Sequence, residues 1–203
     1  MSKENIINRI RSNKPIAVEL PKINKNDFSS VENLFEAFTK NSEAAGGKVI
    51  ITNGLNEAAA IIESLLKESE NAISLVDEFK YGTINLNEET SAKSLNELDA
   101  VILMGQFGVA ENGAVWIPGN SLPQLVIPFI TKHLFLLLRE NKIVENMHEA
   151  YEQIVLKDNS YGVFISGPSK TADIEQSLVI GAQGPLSTTV ILIRNSLTNN
   201  SFN

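Results

Sequence analysis

The sequence contains no cysteine among its 203 residues. The chain therefore cannot form a disulfide, offer a thiolate nucleophile, or hold zinc or an iron–sulfur cluster through sulfur ligands. We predict that the chain binds no such cofactor itself, and that any redox cluster it works with belongs to a partner protein.

An excess of basic residues is also missing. The chain has 24 acidic side chains against 17 Lys and Arg, which gives a formal net charge of −7 and a pI near 4.9. The basic residues are scattered, whereas a nucleic-acid-binding protein needs a basic face to displace counterions from phosphates. The composition therefore argues against nucleic acid and against an anionic membrane surface as partners.

Long apolar runs are the third absence. No stretch approaches the roughly 18 apolar residues that a membrane-spanning helix needs, and the polar amino terminus has no signal-peptide core. We therefore expect a cytoplasmic protein without a membrane span. With 43% hydrophobic and 20% charged residues, the composition is typical of a globular domain.

Apolar periodicity divides the chain into an arm, a domain and a tail. Residues 1–26 predict a helix at about 3–12 and an extended arm, residues 27–195 predict one α/β domain, and residues 196–203 form a polar tail. Within the domain, apolar runs alternate with helical patterns, which predicts βαβ units on a mainly parallel sheet. The predicted strands are 48–52, 72–76, 99–104, 114–117, 125–127, 133–138, 162–166 and 188–193, and the predicted helices are 27–45, 56–67 and 146–156.

Candidate chemistry is densest in the segment Ile165-Ser166-Gly167-Pro168-Ser169-Lys170-Thr171-Ala172-Asp173-Ile174-Glu175-Gln176. A strand ends there in Ser-Gly-Pro, and we expect a helix to begin around Ser169 to Asp173. Free backbone N–H groups at a helix start, with the hydroxyls of Ser169 and Thr171 and the charge of Lys170, would bind a carboxylate or a phosphate. The alternative is that Ser169 or Thr171 only caps the helix.

Two other segments and a histidine are candidates. The loop Gly181-Ala182-Gln183-Gly184-Pro185 is sharp and could face the same pocket. Glu111 lies among glycines between two apolar runs, where it could act as a general base or accept a hydroxyl proton; the alternative is a solvated glutamate in a turn. The two histidines, His133 and His148, lack metal-ligand spacing, although His133 opens an apolar strand and could border a pocket.

Taken together, the segments 108–113, 165–176 and 181–185 resemble the signatures of the LUD-domain family, and in particular its lactate utilization protein C type. The resemblance implies a three-layer α/β/α fold with a mainly parallel sheet, like that of the glucosamine-phosphate isomerase, ribose-phosphate isomerase and CoA-transferase group. It also implies a role in oxidising L-lactate to pyruvate together with two iron–sulfur partner proteins. The absence of cysteine fits a cluster-free subunit.

The resemblance assigns site roles by position. It makes Glu111 the candidate catalytic residue, and Gln183 stands where the family usually has His, which removes a proton carrier at neutral pH. The candidate substrate-binding residues are Gly167, Ser169, Lys170, Thr171, Asp173, Gln183 and Gly184, with Glu175 as a further site residue, Pro168 and Pro185 shaping the loops, and no metal ligand.

Three functions stay open from the sequence. The first is a cluster-free subunit of an L-lactate-oxidising complex that binds a small carboxylate or other anion. The second is a stand-alone enzyme or sensor for a phosphorylated or CoA-linked metabolite, because a fold does not fix a function. The third is a non-catalytic assembly subunit. Whether the chain is itself an enzyme and whether it forms a homo-oligomer are not decided by the sequence.

Overall fold

The computed structural model describes residues 2–19, 21–22, 24, 31–66, 71–79, 81–82, 95, 98–155, 161–172 and 178–194. In this part of the chain the helices are α1 (Lys3–Ser12), α2 (Leu34–Ala44), α3 (Leu55–Leu65), α4 (Ile127–Ile130) and α5 (Met147–Gln153). The strands are β1 (Lys48–Thr52), β2 (Ala72–Ser74), β3 (Ala100–Met104), β4 (Phe107–Val109), β5 (Ala114–Pro118), β6 (His133–Arg139), β7 (Ile143–Val144), β8 (Gly162–Ile165), β9 (Lys170–Ala172), β10 (Leu178–Ile180) and β11 (Ser187–Ile193).

A five-stranded parallel sheet lies at the centre, in the order β1-β11-β6-β3-β2. Its middle strand β6 is buried on both faces, as the unbroken apolar run from Leu134 to Leu138 indicates. Leu134, Leu136 and Leu138 pack into a cluster with α2, whereas Phe135 and Leu137 pack into a cluster with α3. Alternate residues along a strand point to opposite faces, so one strand feeds both cores. The predicted α/β fold with a mainly parallel sheet is confirmed.

A smaller sheet packs beside the α2 face, in the order β7-β4-β5-β8. Its strands β4 and β5 form an antiparallel hairpin that contains the strand predicted at 114–117, and β8 adds to β5 in antiparallel orientation. An aromatic group of Phe107, Trp116 and Phe164 holds this sheet together, with the Trp116 and Phe164 ring centroids 4.6 Å apart. The hairpin returns the chain toward the amino ends of the parallel strands.

The N-terminal helix α1 matches the predicted range of 3–12. The hydroxyl oxygen of Ser2 accepts a hydrogen bond from the backbone N–H of Asn5 at 3.4 Å, which caps the helix. None of the helix residues is buried, as expected for an arm. Among the described residues, no helix combines the length and the apolar character that crossing a bilayer requires.

Helix α2 starts later than predicted. We expected an N-cap at Asp27, but the described residues 31–33 are not helical, and the side chain of Asn33 caps the helix by accepting from the N–H of Glu36 at 3.2 Å. An asparagine side chain can satisfy a free N–H at this position as well as an aspartate can. The helix ends as expected before Gly46, which has φ +84°.

The predicted strand at 125–127 is wrong. This segment leads instead into the short helix α4, in which Pro128 occupies the first turn. Proline has no backbone N–H to donate to a neighbouring strand. In the first turn of a helix the N–H groups have no partner within the helix, so proline loses no hydrogen bond there. Pro128 therefore indicates a helix start at this position.

The predicted helix at Ser169 to Asp173 is also wrong. Lys170 to Ala172 form strand β9, which pairs in antiparallel orientation with β10, so that Thr171 lies opposite Val179. The β-branched Thr171 and the Leu-Val-Ile run of β10 favour a paired strand over a helix. Asp173 and Glu175 lie outside the described residues.

Candidate functional site

The Glu111 loop joins β4 to β5 and is exposed. The Glu111 Oε2 atom accepts a hydrogen bond from the backbone N–H of Met147 at 2.9 Å, at the start of helix α5. The Asn112 Oδ1 atom accepts from the N–H of Ala114 at 3.0 Å, and Gly113 turns the chain with φ +65°. A carboxylate at a helix start satisfies a free N–H group and complements the helix dipole. Glu111 therefore has a structural role in addition to its predicted catalytic one.

Two substitutions at Glu111 separate these roles. We expect Glu111→Ala to lower the free energy of unfolding by about 1 kcal/mol, because the Met147 N–H loses its acceptor. Glu111→Gln keeps an acceptor oxygen and should preserve most of the stability, but an amide cannot take up a proton. Urea unfolding of both variants, compared with the wild type, measures the structural part. Equal destabilisation by Ala and Gln would contradict the capping role.

The Ser166–Lys170 segment packs against the C-terminal end of α2. The Ser166 hydroxyl donates to the backbone oxygen of Asn112 at 2.9 Å, and the Lys170 ammonium donates to the backbone oxygen of Ala45. A Cβ atom on Gly167, which has φ +70°, would lie 2.1 Å from that same Ala45 oxygen. The glycine is therefore required by both the turn and the close approach to α2.

The loop 181–185 joins the same assembly through Ser169. The N–H of Ser169 donates to the oxygen of Pro185, and the N–H of Gly181 donates to the oxygen of Ser169, both at 3.0 Å. Gly184 lies against the Ser169 side chain, while Gln183 is exposed. The N–H group of Ser169 is thus already bonded, and with β9 in place of a helix the expected helix-start anion site does not form there.

Three segments that were singled out in the sequence therefore meet around the end of α2. We call this group the α2-end cluster: the Glu111 loop, the Ser166–Lys170 segment and the loop 181–185. Ser42 lies beneath it, where a Cβ atom on Gly113 would be 2.2 Å from the Ser42 nitrogen. The Ser42 hydroxyl is fully buried and has no hydrogen-bond partner among the described residues. The catalytic and binding roles of the cluster residues stay predictions.

A second group of polar residues lines a depression of about 450 Å³ at the amino edge of the parallel sheet. We call it the amino-edge pocket. It lies on the α3 face of the sheet, opposite the α2-end cluster. Ser187 and Thr189 of β11 line the pocket. Thr188 lies between them and therefore points to the other face, where its hydroxyl donates to the backbone oxygen of Gly167. The residues lining the pocket are Lys48, Leu65, Leu66, Asp99, Lys132, His133, Phe135, Ser187 and Thr189.

Two side-chain pairs organise this pocket. The His133 Nδ1 atom and the Ser187 Oγ atom are 2.8 Å apart, and the Lys132 Nζ atom donates to the Asp99 Oδ1 atom at 2.6 Å. The hydrogen bond that Lys132 donates to Asp99, together with the negative charge of Asp99, raises the pKa of the Lys132 ammonium above its ordinary value. Lys132 therefore stays charged throughout the neutral pH range.

Sequence reasoning found only His133 of this group. Its position at the start of an apolar strand was the available signal, and the structure does place it at a pocket. The other polar residues of the pocket lie at or next to the starts of separate strands, which only the sheet order brings together. Among the described residues, no three His, Asp or Glu side chains lie close enough to hold a metal ion.

Comparison with known families gives one match over most of the chain. Residues 35–193 match the model of the LUD domain. Among solved structures, the crystal structure of a DUF162 family protein from Deinococcus radiodurans superposes with a TM-score of 0.62, over 85% of this chain and 99% of that protein. The two sequences are 15% identical, so this likeness concerns the fold.

Comparison with curated proteins finds relatives of higher sequence identity over shorter parts of the chain. Lactate utilization protein C 1 of Bacillus mycoides is 29% identical over 117 residues, which cover 53% of this chain and 48% of the relative. Lactate utilization protein C of Anoxybacillus flavithermus is 36% identical over 86 residues, 42% of this chain and 39% of the relative. An uncharacterized protein of Neisseria meningitidis is 27% identical over 164 residues, 79% of this chain and 67% of the relative. The chain spans about half or less of the lactate utilization relatives' length.

Proposed function

Because the chain belongs to the LUD domain family, we propose that it takes part in lactate utilization as a cluster-free component of an L-lactate-oxidising system. The observation that carries the proposal is the family match over residues 35–193, together with relatives whose names state lactate utilization. The chain's own part is the α2-end cluster, which gathers the segments that carry the family resemblance.

The chemistry requires a partner. Oxidation of L-lactate to pyruvate breaks the carbinol C–H and O–H bonds and releases two electrons and two protons. This chain has no cysteine with which to hold an iron–sulfur cluster. The proposal therefore assigns the two electrons to clusters in iron–sulfur partner proteins, and leaves this chain to hold the substrate or the partner in position.

Glu111, Lys170 and Gln183 are among the exposed side chains of the α2-end cluster. The Glu111 carboxylate and the Lys170 ammonium are held by hydrogen bonds to the backbone of Met147 and Ala45. Fixed side chains at an exposed position lose little conformational freedom when a ligand or a partner binds. We propose that Glu111 accepts a proton or a hydroxyl hydrogen bond there, and that Ser169 and Lys170 contact the acid group of the substrate.

A growth experiment tests the role in lactate utilization. We expect deletion of the gene in its host to abolish or strongly slow growth on L-lactate as sole carbon source, with unchanged growth on glucose. The tagged wild-type chain should restore growth and co-purify with iron and with L-lactate-dependent dye reduction. Normal growth of the deletion strain on L-lactate, with no second copy of the gene, would contradict the proposal.

The Glu111→Gln variant refines the same experiment. If Glu111 handles a proton, this variant should fold and co-purify with iron as the wild type does, yet lose most of the dye-reduction activity. Full activity in Glu111→Gln would leave the residue with its capping role alone and would overturn the catalytic assignment.

A further inference from the structure

We propose that the amino-edge pocket binds a small hydroxylated organic anion, with Lys48 and Lys132 holding its carboxylate or phosphate group. This site lies on the sheet face opposite the α2-end cluster, and the proposal does not depend on a role in lactate utilization. The argument rests on the position, the charge and the shape of the pocket.

The position follows from the sheet order. His133 begins β6, and the register pairs it with Ser187 at the start of β11 on one side and with Ala100 at the start of β3 on the other. Lys132 and Asp99 directly precede β6 and β3, and Lys48 begins β1 beyond β11. Because the strands are parallel, their polar first residues must lie along one edge. Four strands therefore supply polar groups to a single depression.

The charge of the lining opposes that of the whole protein. Among the residues that the structure describes, the lining contains two lysines and one aspartate, a formal charge of +1, taken as 2 − 1, on a chain of net charge −7. Asp99 accepts a hydrogen bond from Lys132, whereas Lys48 forms no ion pair with any described residue. A lysine ammonium is a compact charge that suits carboxylates and phosphates alike. The pocket lysines would attract an anion at this edge, although the net negative charge of the whole protein repels it.

The shape indicates a ligand larger than a bare ion. A volume of about 450 Å³ falls within the range of small-molecule sites. Leu65, Leu66 and Phe135 form an apolar wall against which a carbon skeleton can pack. The remaining polar groups suit hydroxyls: the Asp99 carboxylate accepts hydrogen bonds, and the hydrogen-bonded His133–Ser187 pair can both donate and accept.

Ligand binding by the purified full-length chain tests the proposal. We would measure thermal shifts and titration calorimetry with glucose 6-phosphate, inorganic phosphate, L-lactate and gluconate, because a ligand bound only by the native state raises its stability. We expect saturable binding of glucose 6-phosphate or gluconate, and weaker binding of inorganic phosphate. The phosphate and carboxylate probes show which acid group the site prefers.

Variants show whether that binding occurs in this pocket. Lys132→Gln and Lys48→Gln should each weaken binding about tenfold, because each removes a charged hydrogen-bond donor. Ser187→Ala should weaken it severalfold. Lys142→Gln removes the same charge from an exposed position beyond the opposite end of β6, and should leave the affinity unchanged.

Two results would overturn the proposal. One is no saturable binding of glucose 6-phosphate, L-lactate or gluconate at millimolar concentration by the folded wild type, even if inorganic phosphate binds. The other is binding that Lys132→Gln, Lys48→Gln and Ser187→Ala leave unchanged. If one lysine variant fails to fold, as judged by its circular dichroism spectrum, the other lysine variant and Ser187→Ala still test whether binding occurs in this pocket. These binding results are independent of growth on L-lactate, so either proposal can fail alone.

Discussion

Replacement of Phe38 by alanine is expected to lower the free energy of unfolding by about 3–5 kcal/mol, the usual cost of removing a buried aromatic ring. Phe38 is fully buried in the cluster that joins α2 to Leu136 and Val190 of the central sheet. Its ring also rests on the second sheet, because a Cβ atom on Gly108 would lie 2.8 Å from its Cε2 atom. With a glycine on one side and a packed sheet on the other, little can move in to fill the cavity.

Urea unfolding followed by the fluorescence of Trp116 would measure this loss. Trp116 is the only tryptophan of the chain and is 6% exposed in the second sheet, so its emission reports whether that sheet stays packed. We expect a lower midpoint with an unchanged slope. An unchanged midpoint would mean that α2 does not join the two sheets as described.

Phe35 supplies the matched control, one turn earlier on the same helix. Its ring is only partly buried, and the guanidinium carbon of Arg194 lies 5.1 Å from its centroid. Phe35→Ala should therefore cost less, about 1–2 kcal/mol, from lost apolar burial and a lost cation–π contact. If both variants lose the same stability, the difference in burial between the two rings has no energetic consequence.

The central sheet could be predicted from sequence because its signals are local and strong. The runs from Leu134 to Leu138 and from Val190 to Ile193 are apolar without interruption. Such a short apolar run is typical of a strand that is buried on both faces. The hairpin of β9 and β10 could not be predicted. Its pairing joins Thr171 to Val179 across eight positions, whereas the helix expected there rested on Ser169 and its neighbours alone.

The candidate sites show the same division between local and distant signals. The α2-end cluster could be found because each of its segments has glycines and polar side chains that are adjacent in sequence. The amino-edge pocket could not, because Lys48, Asp99 and Ser187 come together only through the strand order β1-β11-β6-β3. Strand order depends on how whole elements pack, and a residue pattern within one strand does not contain it.

Replacement of Gly167 by alanine is expected to cost about 1–5 kcal/mol of unfolding free energy. A residue with a side chain pays about 1–2 kcal/mol for the left-handed conformation at φ +70°. The new Cβ atom would also lie 2.1 Å from the backbone oxygen of Ala45, and forcing such a contact apart costs about 1–3 kcal/mol more. Reduced freedom of the unfolded chain offsets only about 0.4–1 kcal/mol of this. The strained segment also carries the contacts of Lys170 and Thr188, which should weaken with it.

Gly54→Ala is the control for this effect, since it adds the same methyl group without either source of strain. Gly54 has an extended backbone with φ 171°, and a Cβ atom there would meet nothing within 4 Å. It precedes α3 without a side-chain cap, so alanine should cost less than about 1 kcal/mol. Urea midpoints of the two variants measure the difference. If they coincide, the Ser166–Lys170 segment is free to move away from α2, and the α2-end cluster is not the fixed assembly on which the proposed role of Glu111 and Ser169 depends.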